Sequence, residues 1–165
     1  MQPGMQMAVP EFIIRRATAL DASGILNCLA AAFEPYRTSY TPAAYLDTVL
    51  SAETISQRLQ WMHVFVAVRS TGEVIGSIAC AIADSNEGHL RGMAVMPQFQ
   101  GHKIAESLLQ AAEEELRRLG SSRITLDTTE PLLRAVRFYE SHGYRRSGKI
   151  TDFFGMPLHE FVKQM

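Results

Sequence analysis

At 165 residues the chain is sized for one domain and long enough to bury a sizeable core. An apolar fraction of 47% with 20% charged residues is the balance of a globular protein, and excludes a disordered or collagen-like chain. The formal charge of −1 leaves no global field to drive the chain onto nucleic acid or an acidic membrane, although a cleft keeps its own local field.

The first ten residues, MQPGMQMAVP, lack the basic start and apolar run of a secretory signal and read as a flexible tail ahead of a domain over 11–165. No later stretch approaches the length of apolar chain needed to cross a bilayer. Phe12 to Arg15 fits a first strand. Asp21, placed as an N-cap, opens a helical pattern of Ile25, Leu26, Leu29, Ala32 and Phe33 that Pro35 ends. A second helical stretch follows Pro42, and a third segment holds Ile55, Leu59 and Trp61. Val64–Val68 and Val74–Ile82 flank a Thr71-Gly72 turn as a hairpin, and His89–Met96 is the next strand. A helix carrying Ile104, Leu108, Leu109, Ala112, Leu116 and Leu119 ends at Gly120, its outer face supported by Glu113/Arg117 and Glu114/Arg118 pairs. Arg123–Thr128 is a strand, Pro131 starts a helix that stops at Gly143, and two strands close the chain around the turn Asp152 to Gly155. The expected order is β-α-α-β-β-β-α-β-α-β-β in one mixed α/β domain without repeats.

Cys28 and Cys80 lie far apart in apolar segments, in neither a zinc spacing nor a disulfide framework, and read as buried free thiols of a cytoplasmic protein. His63, His142 and His159 share no metal-ligand spacing, so no metal is assigned.

The most informative segment is Met93-Ala94-Val95-Met96-Pro97-Gln98-Phe99-Gln100-Gly101-His102-Lys103-Ile104-Ala105. A strand ends at a proline, and a polar loop with glycine feeds straight into an amphipathic helix. Free backbone N–H groups and the positive end of the helix dipole then converge where a phosphate can sit. Gly101 and Ala105 allow close approach, and His102 and Lys103 add positive charge. By itself such a loop is a weak signal, since many strand-to-helix turns bind nothing.

The segment resembles the cofactor motif of the GNAT N-acetyltransferase superfamily: Gln or Arg, two residues, Gly, one residue, then Gly or Ala. Gln100 and Ala105 match its ends, while Lys103 stands at the central glycine, where its Cβ is expected to demand an ordinary helical φ. A second stretch, Ala135-Val136-Arg137-Phe138-Tyr139-Glu140-Ser141-His142-Gly143-Tyr144, is similar to the family's helix that ends in an aromatic-Tyr-Glu, two residues, Gly and an aromatic. Leu132 departs from an asparagine often found there. The resemblance implies a mostly antiparallel twisted sheet flanked by helices, acetyl-CoA as co-substrate and an amine acceptor. It places cofactor contacts at Met93, Ala94, Val95, Gln100, Gly101, His102, Lys103, Ile104, Ala105, Glu106 and Tyr139.

Transfer to an amine requires loss of the ammonium proton, a donor for the oxyanion and an acid for the departing thiolate. The resemblance gives Tyr139 as the acid and a strand N–H near Ala94 or Val95 as the oxyanion donor. Asp127 and His89 stand equal as general-base candidates, with Glu87 third; each is also an ordinary strand or turn residue in the absence of a cleft. Phe33, Tyr36, Tyr40 and Phe154 are candidates to line the acceptor site, in competition with plain core packing. Glu34 and Asp47 are available to an ammonium. The expected state is monomer or homodimer, without nucleic-acid or membrane partners. The competing function is a non-catalytic acyl-CoA-binding sensor or structural module on the same fold, which Lys103 and Leu132 keep open. A different nucleotide-binding protein is disfavoured, because neither a phosphate-loop Gly-Lys-Ser/Thr nor a dinucleotide Gly-x-Gly-x-x-Gly is present.

Overall fold

A computed structural model describes residues 11–165, so the expectation of a tail over 1–10 lies outside the described residues. The apolar runs condense into seven strands: β1 (Phe12–Arg16), β2 (His63–Arg69), β3 (Val74–Ile82), β4 (Glu87–Val95), β5 (Arg123–Thr129), β6 (Arg145–Phe153) and β7 (Met156–Gln164). Five α-helices join them: α1 (Ala22–Phe33), α2 (Pro42–Val49), α3 (Ala52–Trp61), α4 (Ile104–Arg118) and α5 (Leu133–Ser141). One sheet has the order β1-β2-β3-β4-β5-β7-β6, antiparallel throughout except for the parallel pair β4 and β5. The element order departs from expectation in one place. All three helical segments between the first strand and the hairpin form, α2 and α3 being separated by Leu50 at φ 66° and by a capping box at Ser51.

Helices cover both faces of the sheet centre. The apolar stripe of α4 (Ile104, Leu108, Leu109, Ala112, Leu116) packs with Ile75, Ile78 and Leu90 on one face. Ile25, Cys28 and Leu29 of α1 and Ile55 of α3 pack with Val64, Val66 and Ala79 on the other. That double cover explains why Val74 to Cys80 of β3 are buried at seven successive positions without alternation. Cys28 and Cys80 are free and buried, and burial pushes both thiols up to about 12.

Two local expectations are corrected. Asp21 makes no cap bond to α1; its carboxylate accepts from Arg15 Nη1 and Nη2 at 2.8 and 2.9 Å and from the Thr18 amide at 2.8 Å. A bidentate guanidinium outcompetes a cap amide. The i,i+4 pairs on α4 are replaced too. Glu113 turns inward to accept from Tyr144 Oη at 2.6 Å and Lys163 Nζ at 3.0 Å, and Arg118 pairs with Glu115 at 2.8 Å.

Candidate active site

The parallel pairing of β4 and β5 runs only from Glu87 opposite Arg123 to Leu90 opposite Leu126. Beyond that point the strands part, and the edge of Arg91–Val95 faces Asp127–Thr129 across a gap. A bulge assists the divergence. Ala79 opposes Arg91 and Ser77 opposes Ala94, so Gly92 and Met93 share one partner position on β3. Gly92 sits at φ 69°, which glycine adopts without a Cβ penalty, and its carbonyl accepts from Ser77 Oγ at 3.3 Å. The gap opens into a cavity of about 670 Å³ bordered by β4, β5, the loop before α4, α5 and the α1–α2 connection.

The start of α4 forms one end of that cavity. Among the described residues no side chain caps the helix, and its first backbone bond runs from the Ser107 amide to the Lys103 carbonyl at 3.0 Å. The amides of Ile104, Ala105 and Glu106 are therefore the unsatisfied donors of a helix N-terminus. Gly101, at φ 86°, has open space where a Cβ would stand. Gln100 is anchored from both ends: its Nε2 donates to Val95 O at 3.4 Å, and its Oε1 accepts from Arg134 Nη1 at 2.8 Å. Lys103 corrects the sequence reading. It occupies the N-cap at φ 64°, a left-handed conformation, rather than a helical φ. The loop thus keeps the backbone shape of a glycine with a lysine in place, at a cost of roughly 1–2 kcal/mol. Lys103→Gly is expected to raise stability by about 1 kcal/mol, seen as a Tm increase of about 2–4 °C in a thermal melt.

Tyr139 lines the cavity from α5, only 6% exposed, with its ring against Phe138 and Tyr144 at centroid distances of 5.4 and 5.7 Å. No side chain or carbonyl among the described residues accepts from its hydroxyl, and burial holds the phenol well above its ordinary value, so it is neutral at physiological pH. His89 and Asp127 line the same cavity from β4 and β5. His89 Nε2 lies 3.8 Å from Asp127 Oδ2, and its Nδ1 lies 2.9 Å from Thr125 Oγ1. The Thr125 hydroxyl also lies 3.4 Å from Gly88 O, so the contact ties the imidazole to the β4 backbone. Burial lowers the His89 pKa, partly countered by Asp127, and burial raises the Asp127 pKa, partly countered by His89.

Comparison with known proteins gives this geometry a lineage. Residues 27–144 match the model of the acetyltransferase (GNAT) family. The chain belongs to the GNAT acetyltransferase family. N-acetylaspartate synthetase of Danio rerio is 32% identical over 116 residues, 67% of this chain and 41% of that protein. IAA acetyltransferase of Azospirillum brasilense is 29% identical over 101 residues, 61% of this chain and 66% of that protein. The matched segments thus span between two fifths and two thirds of these relatives. Among solved structures, PaiA N-acetyltransferase from Thermoplasma acidophilum in complex with coenzyme A superposes with a TM-score of 0.77, covering 94% of this chain and 99% of that chain at 18% identity. At such identity the likeness establishes the shared fold.

Within this GNAT frame the structure gathers most of the sequence candidates around one cavity. Met93, Ala94, Val95, Gln100, Gly101, Lys103, Ile104, Ala105 and Glu106 line it, as do Phe33, Tyr36 and Tyr40. Three candidates stand elsewhere. Glu87 is absent from that lining: it is held by Arg123 at 3.1 Å and borders a second cavity of about 220 Å³, which His89 and Asp127 also line, because pairing at the start of β4 sets it before the strands part. His102 falls outside the lining, in the turn that Gly101 and Lys103 bend away. Phe154, 53% exposed at φ 50° in the β6–β7 turn, points outward, and its neighbour Phe153 lines the cavity instead. Tyr40 is tied to the sheet by a 2.6 Å hydrogen bond between its hydroxyl and Thr129 Oγ1. Of the two acids, Asp47 reaches the cavity, paired with Arg91 at 3.5 Å, whereas Glu34 is spent on Arg37 and Tyr45. The sequence reading passed over Arg58, Arg91 and Arg134, which also line it. Arg58 had a legible signal, since it follows Ile55 by three residues on the buried stripe of α3.

Proposed function

We propose that the protein transfers the acetyl group of acetyl-CoA directly to a primary amine of a small molecule, amino acid or peptide. One observation carries the reading: the gap between β4 and β5 opens into a single cavity that joins the uncapped start of α4 to the Tyr139 hydroxyl and the His89–Asp127 pair. The residues suit the co-substrate. The amides of Ile104 to Glu106 face its pyrophosphate, the open position at Gly101 admits it, and Lys103 and Arg134 supply positive charge. The freed edge of Met93 to Val95 offers backbone groups to the pantetheine arm and an N–H to the thioester oxygen as it gains charge.

In this reading His89 Nε2 takes the ammonium proton, and Asp127 steadies the imidazolium that forms. The amine nitrogen bonds to the thioester carbon, the carbon–sulfur bond breaks, Tyr139 donates its phenolic proton to the leaving sulfur, and the second proton of the acetylated nitrogen passes to the phenolate and restores the phenol. The aromatic wall of Phe33, Tyr36, Tyr40 and Phe153 shapes the acceptor end. The names of the relatives, N-acetylaspartate synthetase and IAA acetyltransferase, support acetyl transfer without fixing one acceptor. The co-substrate and the absence of a membrane-spanning helix among the described residues suit a cytoplasmic setting.

Calorimetric titration with acetyl-CoA tests the first step, with a Kd expected at or below about the millimolar level. A hundred-fold excess over Kd stabilises the fold by about 2.7 kcal/mol, a Tm rise of roughly 5–11 °C. Thiol release with a panel of amines tests the second. Binding without release from any amine favours the sensor reading, and neither heat nor stabilisation removes the co-substrate altogether.

A further inference from the structure

The cavity holds a cation for which acetyl transfer itself has no use. α3 places Ile55 in the core and Arg58 one turn later on the same face, and the Arg58 side chain reaches across to β4. There its Nη1 occupies the space that a Cβ on Gly92 would fill, so the glycine at φ 69° is what lets the guanidinium lie against the strand. No hydrogen bond or ion pair to another side chain holds the Arg58 guanidinium among the described residues. The nearby acid, Asp47, is engaged with Arg91 at 3.5 Å. Burial and the Arg91 charge lower the Arg58 pKa to about 10, which still leaves it cationic at neutral pH. A half-buried guanidinium without an anion is costly unless a ligand supplies one.

Resting on the acetyltransferase reading, we propose that the acceptor is an amine of amino-acid size that carries a carboxylate, and that Arg58 binds this carboxylate. Position and charge argue for it. Gly92 lies two residues before Ala94, so a group held by Arg58 stands within roughly 7 Å of the amides that meet the thioester. That is the reach of one small molecule bearing both groups. The coenzyme's own phosphates are accounted for past the C-terminal end of β4, beyond the thioester position, at Gly101 to Glu106. Arg58, Arg91 and Asp47 together leave one unbalanced positive charge, the complement of a single carboxylate rather than a doubly charged phosphomonoester. The planar guanidinium fork suits two carboxylate oxygens.

The test compares each of the twenty standard L-amino acids with its α-carboxamide as acceptor at saturating acetyl-CoA, following thiol release. For the best amino acid, kcat/KM is expected to exceed that of its amide by roughly 100-fold. Arg58→Gln should bring the two within about three-fold of each other by slowing the acid alone, and Arg58→Lys should restore part of the gap. Circular dichroism and the coenzyme A Kd, both expected to be unchanged, verify that the variants fold. A second arm needs no turnover. Coenzyme A-loaded protein is titrated with N-acetyl-L-amino acids, and the affinity for the best of them should fall more than about ten-fold in Arg58→Gln. Arg58-dependent binding without any acetyl transfer overturns the transferase reading and upholds the carboxylate site. Amides acetylated as fast as the free acids, Arg58→Gln binding as tightly as the wild type, or no amino acid or N-acetyl amino acid engaging the protein each overturns the site.

Discussion

Tyr139→Phe is expected to lower kcat by roughly 100- to 10,000-fold while the KM for acetyl-CoA changes by less than about three-fold. The substitution removes one oxygen atom and keeps the ring that packs between Phe138 and Tyr144. Its hydroxyl has no acceptor among the described residues, so the fold loses no hydrogen bond, and stability should hold within about 1 kcal/mol. A 100-fold loss corresponds to about 2.7 kcal/mol of transition-state stabilisation, which a packing residue cannot mimic through such a small change. The raised pKa does not disqualify the phenol as a proton donor. The same burial that disfavours phenolate also disfavours a departing thiolate, so the two pKa values rise together and the proton remains shared as the carbon–sulfur bond breaks. Steady-state kinetics with a thiol-detecting reagent decides the matter. A Phe variant as fast as the wild type takes Tyr139 out of the reaction and leaves it a core aromatic.

How far the sequence disclosed this site depends on the physical origin of each feature. The helix stripe from Ile104 to Leu116 and the strand at Arg123 are written in periodicity, which is local, and both form where the pattern puts them. The loop before α4 was legible for a similar reason, since a proline, a glycine and a helix start follow one another along the chain. What periodicity does not encode is the point at which two paired strands separate. Leu90, Ala94, Leu126 and Thr128 are all buried strand residues, yet Leu90 and Leu126 are paired across the two strands and Ala94 and Thr128 are not. The separation decides that His89 and Asp127 reach the larger cavity, while Glu87, two residues earlier, is held by Arg123 and borders only the smaller one that they also line. The φ of Lys103 was misread because a single residue's propensity yielded to a loop geometry fixed at both ends, by Gln100 with Arg134 and by α4. Phe154 points outward because the turn holds it at φ 50°, while Phe153, the last residue of β6, lines the cavity. Arg58 was the avoidable omission, since a basic residue within an apolar helical stripe is itself a signal.

Replacement of His89 by Gln should cost roughly 100- to 10,000-fold in kcat/KM at neutral pH and should change the shape of the pH profile. The sign follows from the site. Burial sets the His89 pKa below its ordinary 6.5, so in the wild type the acid limb of kcat/KM, along which activity grows as the imidazole loses its proton, lies below pH 6.5. Asp127 opposes that shift by attracting the imidazolium from 3.8 Å, and Asp127→Asn should therefore move the limb further down in pH and reduce the rate at the same time. In His89→Gln the limb disappears. Only amine that has already lost its proton can then attack, so activity should climb steeply with pH up to the acceptor's own pKa. Because His89 and Asp127 each shift the other's titration, the wild-type limb belongs to the pair. The two single variants separate their contributions, since Gln abolishes the limb and Asn only displaces it. A His89→Gln enzyme that keeps the wild-type profile, together with an Asp127→Asn enzyme that loses its acid limb, would transfer the role of base to the carboxylate, whose pKa burial raises toward the range where a carboxylate serves as one.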